Sequence, residues 1–403
     1  MFKNRLYMDF AAATPLHPSV LREMRRGFAA YGNPQSAHAE ARGAKELLEE
    51  ARTRLARALS VKSESLTFTG SGTESNNLAI HGALEALLAR GAAPEELHII
   101  ASSFEHPSVA DQLAYWARRG VSVSYAEPNA EGIITPEAVV RLIRPETVLV
   151  SILAVQSEIG TIQPIRDIAH ALRGVREKRA QVAQKLVPES PCPIFHSDAS
   201  QTPLFLDLAP DRLGVDLASY DAQKIMGPKG VGVLYKHSSV SLEPLMKGGK
   251  QERGLRPGTE NVAGALGMAR AMELAVESRS ERITHTSAVR DYFVSLLARE
   301  LPQATINGGM KRRIANNLNI SIPGADGDYL AVLMDSEGVA VSPRSACIAS
   351  GTASQSVTAL GKSEAEARGT VRFSFSPWVT KRDAKRAVRA LKKSITVAAS
   401  ATA

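Results

Sequence analysis

The sequence predicts an α/β fold: a large domain on a mostly parallel sheet of the seven-stranded type, flanked by helices, plus a smaller α+β domain. Strand-length apolar runs alternate with helical patterns through about the first 250 residues, as strands joined by helical crossovers do. Beyond about Gly264 that alternation gives way to a long helical stretch followed by short strands. The chain has 403 residues, 44% hydrophobic and 22% charged, which is enough for two cores. The expected division is 16–262 for the large domain, and 1–15 with 263–403 for the small one.

The elements follow in order. Leu66–Thr69 reads as a strand, the turn Gly70-Ser71-Gly72-Thr73 follows, and a helix is expected from Glu74 to about Ala89. Further strands are expected at Leu97–Ala101, Val121–Tyr125, Thr147–Leu153, Pro193–Ser197, Leu217–Tyr220 and Gly232–Tyr235. In the second part, a helix from roughly Val262 to Leu301, with a break, precedes strands at Asn317–Ile322 and Thr370–Ser374. The last helix starts near Lys381, with Ala384, Val388, Leu391 and Ile395 as its buried stripe.

Composition excludes several classes. Only two cysteines, Cys192 and Cys347, are present, so neither a disulfide framework nor a thiolate metal cluster is expected. The apolar run around Val148–Val155 is too short to span a bilayer. The first residues lack the apolar core of a signal peptide, so a reducing compartment is expected, most simply the cytosol. The net charge is +8, much of it in two runs. Arg173–Lys185 holds five basic residues against one acid, and Lys381–Lys393 seven against one. Aromatics make up 5% and do not interleave with these runs, so direct nucleic-acid binding is not expected.

In a parallel sheet ligands sit beyond the carboxyl ends of the strands, so the polar residues there are the candidates. Gly72 and Thr73 open a helix, where backbone N–H groups suit a phosphate, although Ser71 before Glu74 is also an ordinary cap. Asp198 and Lys224 end neighbouring apolar strands. They read either as a salt bridge or as a pyridoxal phosphate site. In the second reading the lysine amine forms a Schiff base and the aspartate keeps the pyridine nitrogen protonated. Cys347 lies in a small, polar, turn-rich stretch, Ser342 to Ser354, that reads as a surface loop suited to thiolate chemistry. Cys192 lies in a Pro-rich loop and is given no role.

These residues belong to a wider pattern. Tyr7-Met8-Asp9-Phe10-Ala11-Ala12-Ala13-Thr14-Pro15, Gly32-Asn33-Pro34-Gln35-Ser36-Ala37-His38 and Phe68 to Asn77 come first. Glu105-His106, Glu158 to Ile165, Asp198-Ala199-Ser200-Gln201, Lys224 to Gly232, Gln251 to Asn261 and Ser345-Ala346-Cys347 follow. In this order and spacing the chain resembles the NifS/IscS-like cysteine desulfurases. These are class V aminotransferase relatives with the fold-type I pyridoxal phosphate architecture.

The resemblance implies roles. Lys224 would bind pyridoxal 5'-phosphate covalently and shuttle protons, Asp198 would pair with the ring nitrogen, and Gln201 would bond the ring hydroxyl. His106 would stack on the ring and move protons, while Gly72 and Thr73 would bind the phosphate. Thr259 would reach the phosphate of the other subunit's site, which implies a homodimer. Arg372 would clamp the carboxylate of L-cysteine, and Cys347 would be the nucleophile that keeps the sulfur as a persulfide while alanine leaves. An acceptor protein, an iron–sulfur scaffold or a tRNA-thiolating enzyme, would then take that sulfur.

Three departures from the family pattern stand out. Asp221 and Gln223 replace a serine and a histidine that would bond the phosphate. Gln223 can still donate, but Asp221 must turn away, pair with a cation or weaken cofactor binding. Ser157, after Gln156, replaces an amide near the ring hydroxyl and the substrate. The stretch 170–195 is longer than usual. Two other readings fit the same residues: another fold-type I lyase or transaminase, and a weakly cofactor-binding sulfur-transfer scaffold.

Overall fold

The computed structural model describes residues 5–181, 192–207, 209–344 and 352–402. The chain opens with β1 (Leu6–Tyr7), α1 (Pro18–Ala29) and α2 (Ala39–Leu59). Then come β2 (Leu66–Thr69), α3 (Gly72–Leu88), β3 (His98–Ser102), α4 (Pro107–Arg118) and β4 (Ser122–Ala126). A short α5 (Pro136–Val140), β5 (Thr147–Ser151) and α6 (Ile165–Gln181) lead to β6 (Ile194–Asp198). After α7 (Pro210–Leu213), β7 (Leu217–Asp221) and β8 (Gly232–Lys236) complete a seven-stranded sheet ordered β2-β8-β7-β6-β5-β3-β4.

The sheet is mostly parallel, as expected, from β4 through β7. Strand β8 is the exception and lies antiparallel between β2 and β7. Its insertion decides the site, because it aligns β2 with β7 and brings their carboxyl ends to one edge of the sheet. Both faces are covered. Ile100, Val150, Phe195 and Ala218 point into a core shared with α2 and α8, whereas Ile99, Ala101, Leu149 and Ile194 point into one shared with α3 and α4. That double burial is why these strands read as continuous apolar runs rather than alternating ones.

The long helical stretch is two helices, α8 (Val262–Glu277) and α9 (Arg279–Glu300), broken at Ser278. Next come β9 (Thr305–Ile306), β10 (Asn317–Ser321), α10 (Gly327–Ser336) and β11 (Val339–Ala340). Two short helices, α11 (Gln355–Thr358) and α12 (Glu364–Arg368), precede β12 (Thr370–Ser374) and α13 (Lys381–Thr402). Strands β9, β10 and β12 form an antiparallel sheet, and β1 returns to pair with β11. A separate core gathers Leu6 and Met8 with α9, β10, β12 and the expected stripe of α13.

The basic run on α13 has local partners. Lys392 pairs with Glu300 at 3.2 Å, Lys393 pairs with Glu337 at 2.6 Å, and Lys381 sits over the Tyr292 ring. The other basic run and the long 170–195 stretch lie partly outside the described residues. No helix among the described residues is long and apolar enough to cross a membrane.

Candidate active site

The carboxyl ends of β2, β3, β5, β6 and β7 border one cavity of about 270 Å³. Of the residues expected in a site, Gly72, Thr73, His106, Ser157 and Asp198 line it, as do Gln201, Gln223, Lys224 and Arg372. Thr259 is exposed and is not part of this wall. Cys347 and its neighbours, 345–351, lie outside the described residues. Ser342 exchanges backbone hydrogen bonds with Arg372 at 3.3 and 2.7 Å, and Arg344 Nη2 donates to both Asp328 oxygens at 2.8 and 2.6 Å.

Strand β6 delivers Asp198 at its last position. One carboxylate oxygen accepts from Asn76 Nδ2 at 2.7 Å and the other from the Ser200 N–H at 2.9 Å. Two residues earlier, His196 is buried between the hydroxyls of Ser151 and Ser219. Burial lowers its pKa to about 4 against the opposing pull of Asp198, so this imidazole is neutral at ordinary pH.

Lys224 follows β7 through a single 3-10 turn, Ala222–Lys224. Its Nζ donates to the carbonyls of Ala11 and Ala12 at 2.9 and 2.7 Å, and Gln201 Nε2 donates to Ala11 O at 2.9 Å. The N-terminal segment therefore forms one wall of the cavity and orients both side chains.

His106 is the N-cap of α4. Its Nδ1 accepts the Ser108 N–H at 3.2 Å, which leaves the proton of the neutral ring on Nε2. Glu105 beside it is buried, with Oε1 accepting from Ser102 Oγ and the Leu153 N–H. Burial raises its pKa to about 8 despite those hydrogen bonds. Arg372, on β12, is 1% exposed. Its Nη2 pairs with Asp9 at 2.7 Å and its Nη1 donates to Ser157 O at 3.2 Å, while Nε has no partner.

The turn after β2 shows both of its expected readings. Ser71 Oγ caps α3 by accepting the Glu74 N–H at 3.1 Å. The Gly72 N–H points elsewhere, toward Asp221 Oδ2 at 3.3 Å. Asp221 has thus not turned away from the start of α3. The same oxygen accepts from Gln223 Nε2 at 3.2 Å, and the other accepts the Gln223 N–H at 3.1 Å. Glycines make this approach possible. A Cβ on Gly72 would sit 3.0 Å from Asp221 Cβ, and one on Gly232 would sit 2.3 Å from the Ser71 backbone.

Asn76, Asp9 and Glu105 lie inside motifs that the sequence displays, but residue type alone does not mark them as site residues. Asn76 was the most accessible of them, since it falls one turn after Gly72 on the same helix face. Its Oδ1 is buried without a partner, next to a cavity that holds a carboxylate, an amine and an imidazole. That donor set and the missing Gly72 Cβ fit a phosphorylated pyridine aldehyde. Among the described residues no cluster suits a metal ion.

Comparison with known proteins agrees. The profile of the aminotransferase class-V family matches residues 6–387. The cysteine desulfurase IscS of Dictyoglomus turgidum is 36% identical over 94% of this chain and 92% of its own. The protein of the same name from Pseudomonas aeruginosa is 34% identical over 97% and 94%. Among solved structures, a NifS-like protein superposes with a TM-score of 0.87 at 32% identity, covering 98% of this chain and all of that one. A structure described as SspA in complex with cysteine gives 0.75 at 32% identity, over 93% of this chain and all of its own.

Proposed function

Because the chain belongs to the aminotransferase class-V family, within its NifS/IscS-like cysteine desulfurases, we propose that its cavity binds pyridoxal 5'-phosphate and converts L-cysteine to L-alanine. The observation that carries this is the convergence of Lys224, Asp198, His106 and Arg372 on one cavity from four different elements.

When bound, pyridoxal phosphate supplies an electron sink that labilises bonds at the substrate's Cα and beyond. Lys224 would hold it through Nζ, Asp198 would face the ring nitrogen, and Gln201 and Ser157 would face the ring hydroxyl. Gly72, Thr73 and Gln223 would lie at the phosphate, with Thr259 contributed by the other subunit of a homodimer. Arg372 is oriented by Asp9 and would bind the substrate carboxylate. Lys224 Nζ, oriented by the Ala11 and Ala12 carbonyls, and His106 Nε2, whose ring is fixed through Nδ1, are the groups that would carry protons.

Cys347 would attack the substrate sulfur as a thiolate. The S–S bond forms as the substrate's Cβ–S bond breaks. The electron pair stays with the carbon skeleton, which takes up a proton and leaves as alanine. The persulfide then passes to an acceptor protein, an iron–sulfur scaffold or a tRNA-thiolating enzyme. A dithiol of the cytosol restores the thiol when no acceptor is present.

Absorbance and product analysis test this together. The purified protein is expected to carry the visible absorbance of a lysine-bound cofactor, and Lys224→Ala to lose it. Cys347→Ser is expected to keep the colour while losing alanine and sulfide formation from cysteine. Full sulfide release by Cys347→Ser would overturn the nucleophile. Turnover of other amino acids with none of cysteine would favour a different lyase or transaminase, and a colourless protein that refuses the cofactor would favour a scaffold.

A further inference from the structure

We propose that Asp221 is an internal competitor for the phosphate end of the cavity, so that cofactor binding neutralises the protein's own carboxylate. The inference rests on the reading of this cavity as a pyridoxal phosphate site.

The first donor of α3, a helix of 17 residues, is the Gly72 N–H. Such an N-terminus carries a partial positive charge and is the natural seat of an anion. Here it already faces an anion supplied by the chain, since Asp221 Oδ2 draws both the Gly72 N–H and the Gln223 side-chain amide. Asp221 is 8% exposed, so water screens this arrangement poorly. The bland role, capping the 3-10 turn, uses Oδ1 and the Gln223 N–H. Asparagine or serine would serve there equally well. The second oxygen has no such local duty.

A phosphate dianion brings acceptor oxygens that need the same two donors. An ionised carboxylate cannot donate to it, and the two charges repel. The favourable arrangement takes one proton from solvent, so that an O–H group joins carboxyl and phosphate in a short charge-assisted bond. Phosphate binding is therefore coupled to proton uptake. The other ionisable groups on the cavity are His106 from the start of α4, Asp198 from β6, Lys224 after β7 and Arg372 from β12. Glu74 on α3 lies close by but is held by Arg256 at 3.0 Å. All of these act on the ring or carboxylate end as much with a phosphate-free ligand as with a phosphorylated one.

That difference defines the experiment. Cofactor-free full-length protein is titrated with pyridoxal 5'-phosphate and with pyridoxal between pH 6.5 and 9, following the absorbance of bound ligand. Wild type, Asp221→Asn and Asp221→Ser are compared. At pH 8 both variants are expected to bind pyridoxal phosphate at least about 10-fold more tightly than wild type, with pyridoxal affinity nearly unchanged. The wild-type preference for the phosphorylated ligand is expected to fall as pH rises, and that of the variants to stay flat. Variants that bind no more tightly, or a wild-type preference that pH leaves unchanged, overturn the proposal. If all three proteins bind the cofactor alike, only the role of Asp221 is lost. If none binds it, the reading of the cavity falls as well.

Discussion

Arg372 shows how a single side chain acquires a function from its surroundings. Buried between Asp9 and the Ser157 carbonyl, it has its fork held in one orientation. Lysine in its place offers a compact point charge that cannot serve both partners and a substrate carboxylate. Arg372→Lys is therefore expected to raise KM for cysteine by about 10- to 100-fold, the worth of one charged hydrogen bond, while the cofactor absorbance persists. Glu105 gives a second residue-scale prediction. Its pKa in the fold is about 8 against an ordinary 4.5, so the folded state binds more protons than the unfolded state between those values. Stability is lost as pH rises from about 4.5 to 8. Glu105→Gln keeps the acceptor for Ser102 and Leu153 and removes the charge. In denaturant titrations it is expected to gain on wild type by ~2–4 kcal/mol between pH 5 and pH 8.

At the scale of elements, the short 3-10 segment Gln251–Gly254 is held against the large sheet by a buried carboxylate, beside the Arg253 bond to the Leu66 carbonyl at 3.2 Å. Glu252 accepts from both terminal nitrogens of Arg52 on α2 and from the Phe68 N–H on β2. The segment needs that hold, because Glu252 and Arg253 both adopt left-handed backbone, at φ 46° and 58°, which costs a non-glycine residue ~1–2 kcal/mol. Glu252→Ala leaves the buried Arg52 with only Glu49 at 3.3 Å and the Leu66 carbonyl at 3.0 Å as partners, so a loss of ~2–3 kcal/mol, the worth of a charged hydrogen bond, is expected, read as a lower denaturation midpoint. The same segment leads into the turn bearing Thr259, so this buried pair also sets where that threonine is presented.

For the whole molecule, the position of Thr259 outside the cavity is what a shared site requires. If it completes the partner's phosphate subsite, Thr259→Ala weakens cofactor binding in the homodimer. A mixed dimer of Thr259→Ala and Lys224→Ala subunits then contains one site with both residues intact. Mixing the two variants under conditions of subunit exchange, at cofactor concentrations too low to fill the Thr259→Ala sites, is expected to restore alanine formation. No recovery would show that each subunit's site is self-contained.

Much of this protein is legible in its sequence because local rules govern that part. Buried parallel strands must be apolar on both faces, so the inner strands β3, β5 and β6 announce themselves as continuous apolar runs, whereas the half-exposed edge strand β4 shows only alternation. Asp198, which ends β6, and Lys224, one 3-10 turn beyond the end of β7, follow from the sheet's geometry. The glycine-bearing turn and the buried stripe of α13 obey equally local requirements. Contacts between distant segments are of another kind. Nothing near Asp9 indicates that it will hold Arg372, 363 positions away. Nothing near Asp221 indicates that its carboxylate will meet the Gly72 N–H. That contact exists because β8, late in the chain, inserts antiparallel between β2 and β7 and draws their ends together. Residue type and spacing thus determined the elements and the chemistry available to the site. Strand pairing, a property of the assembled sheet, decided which of those groups meet.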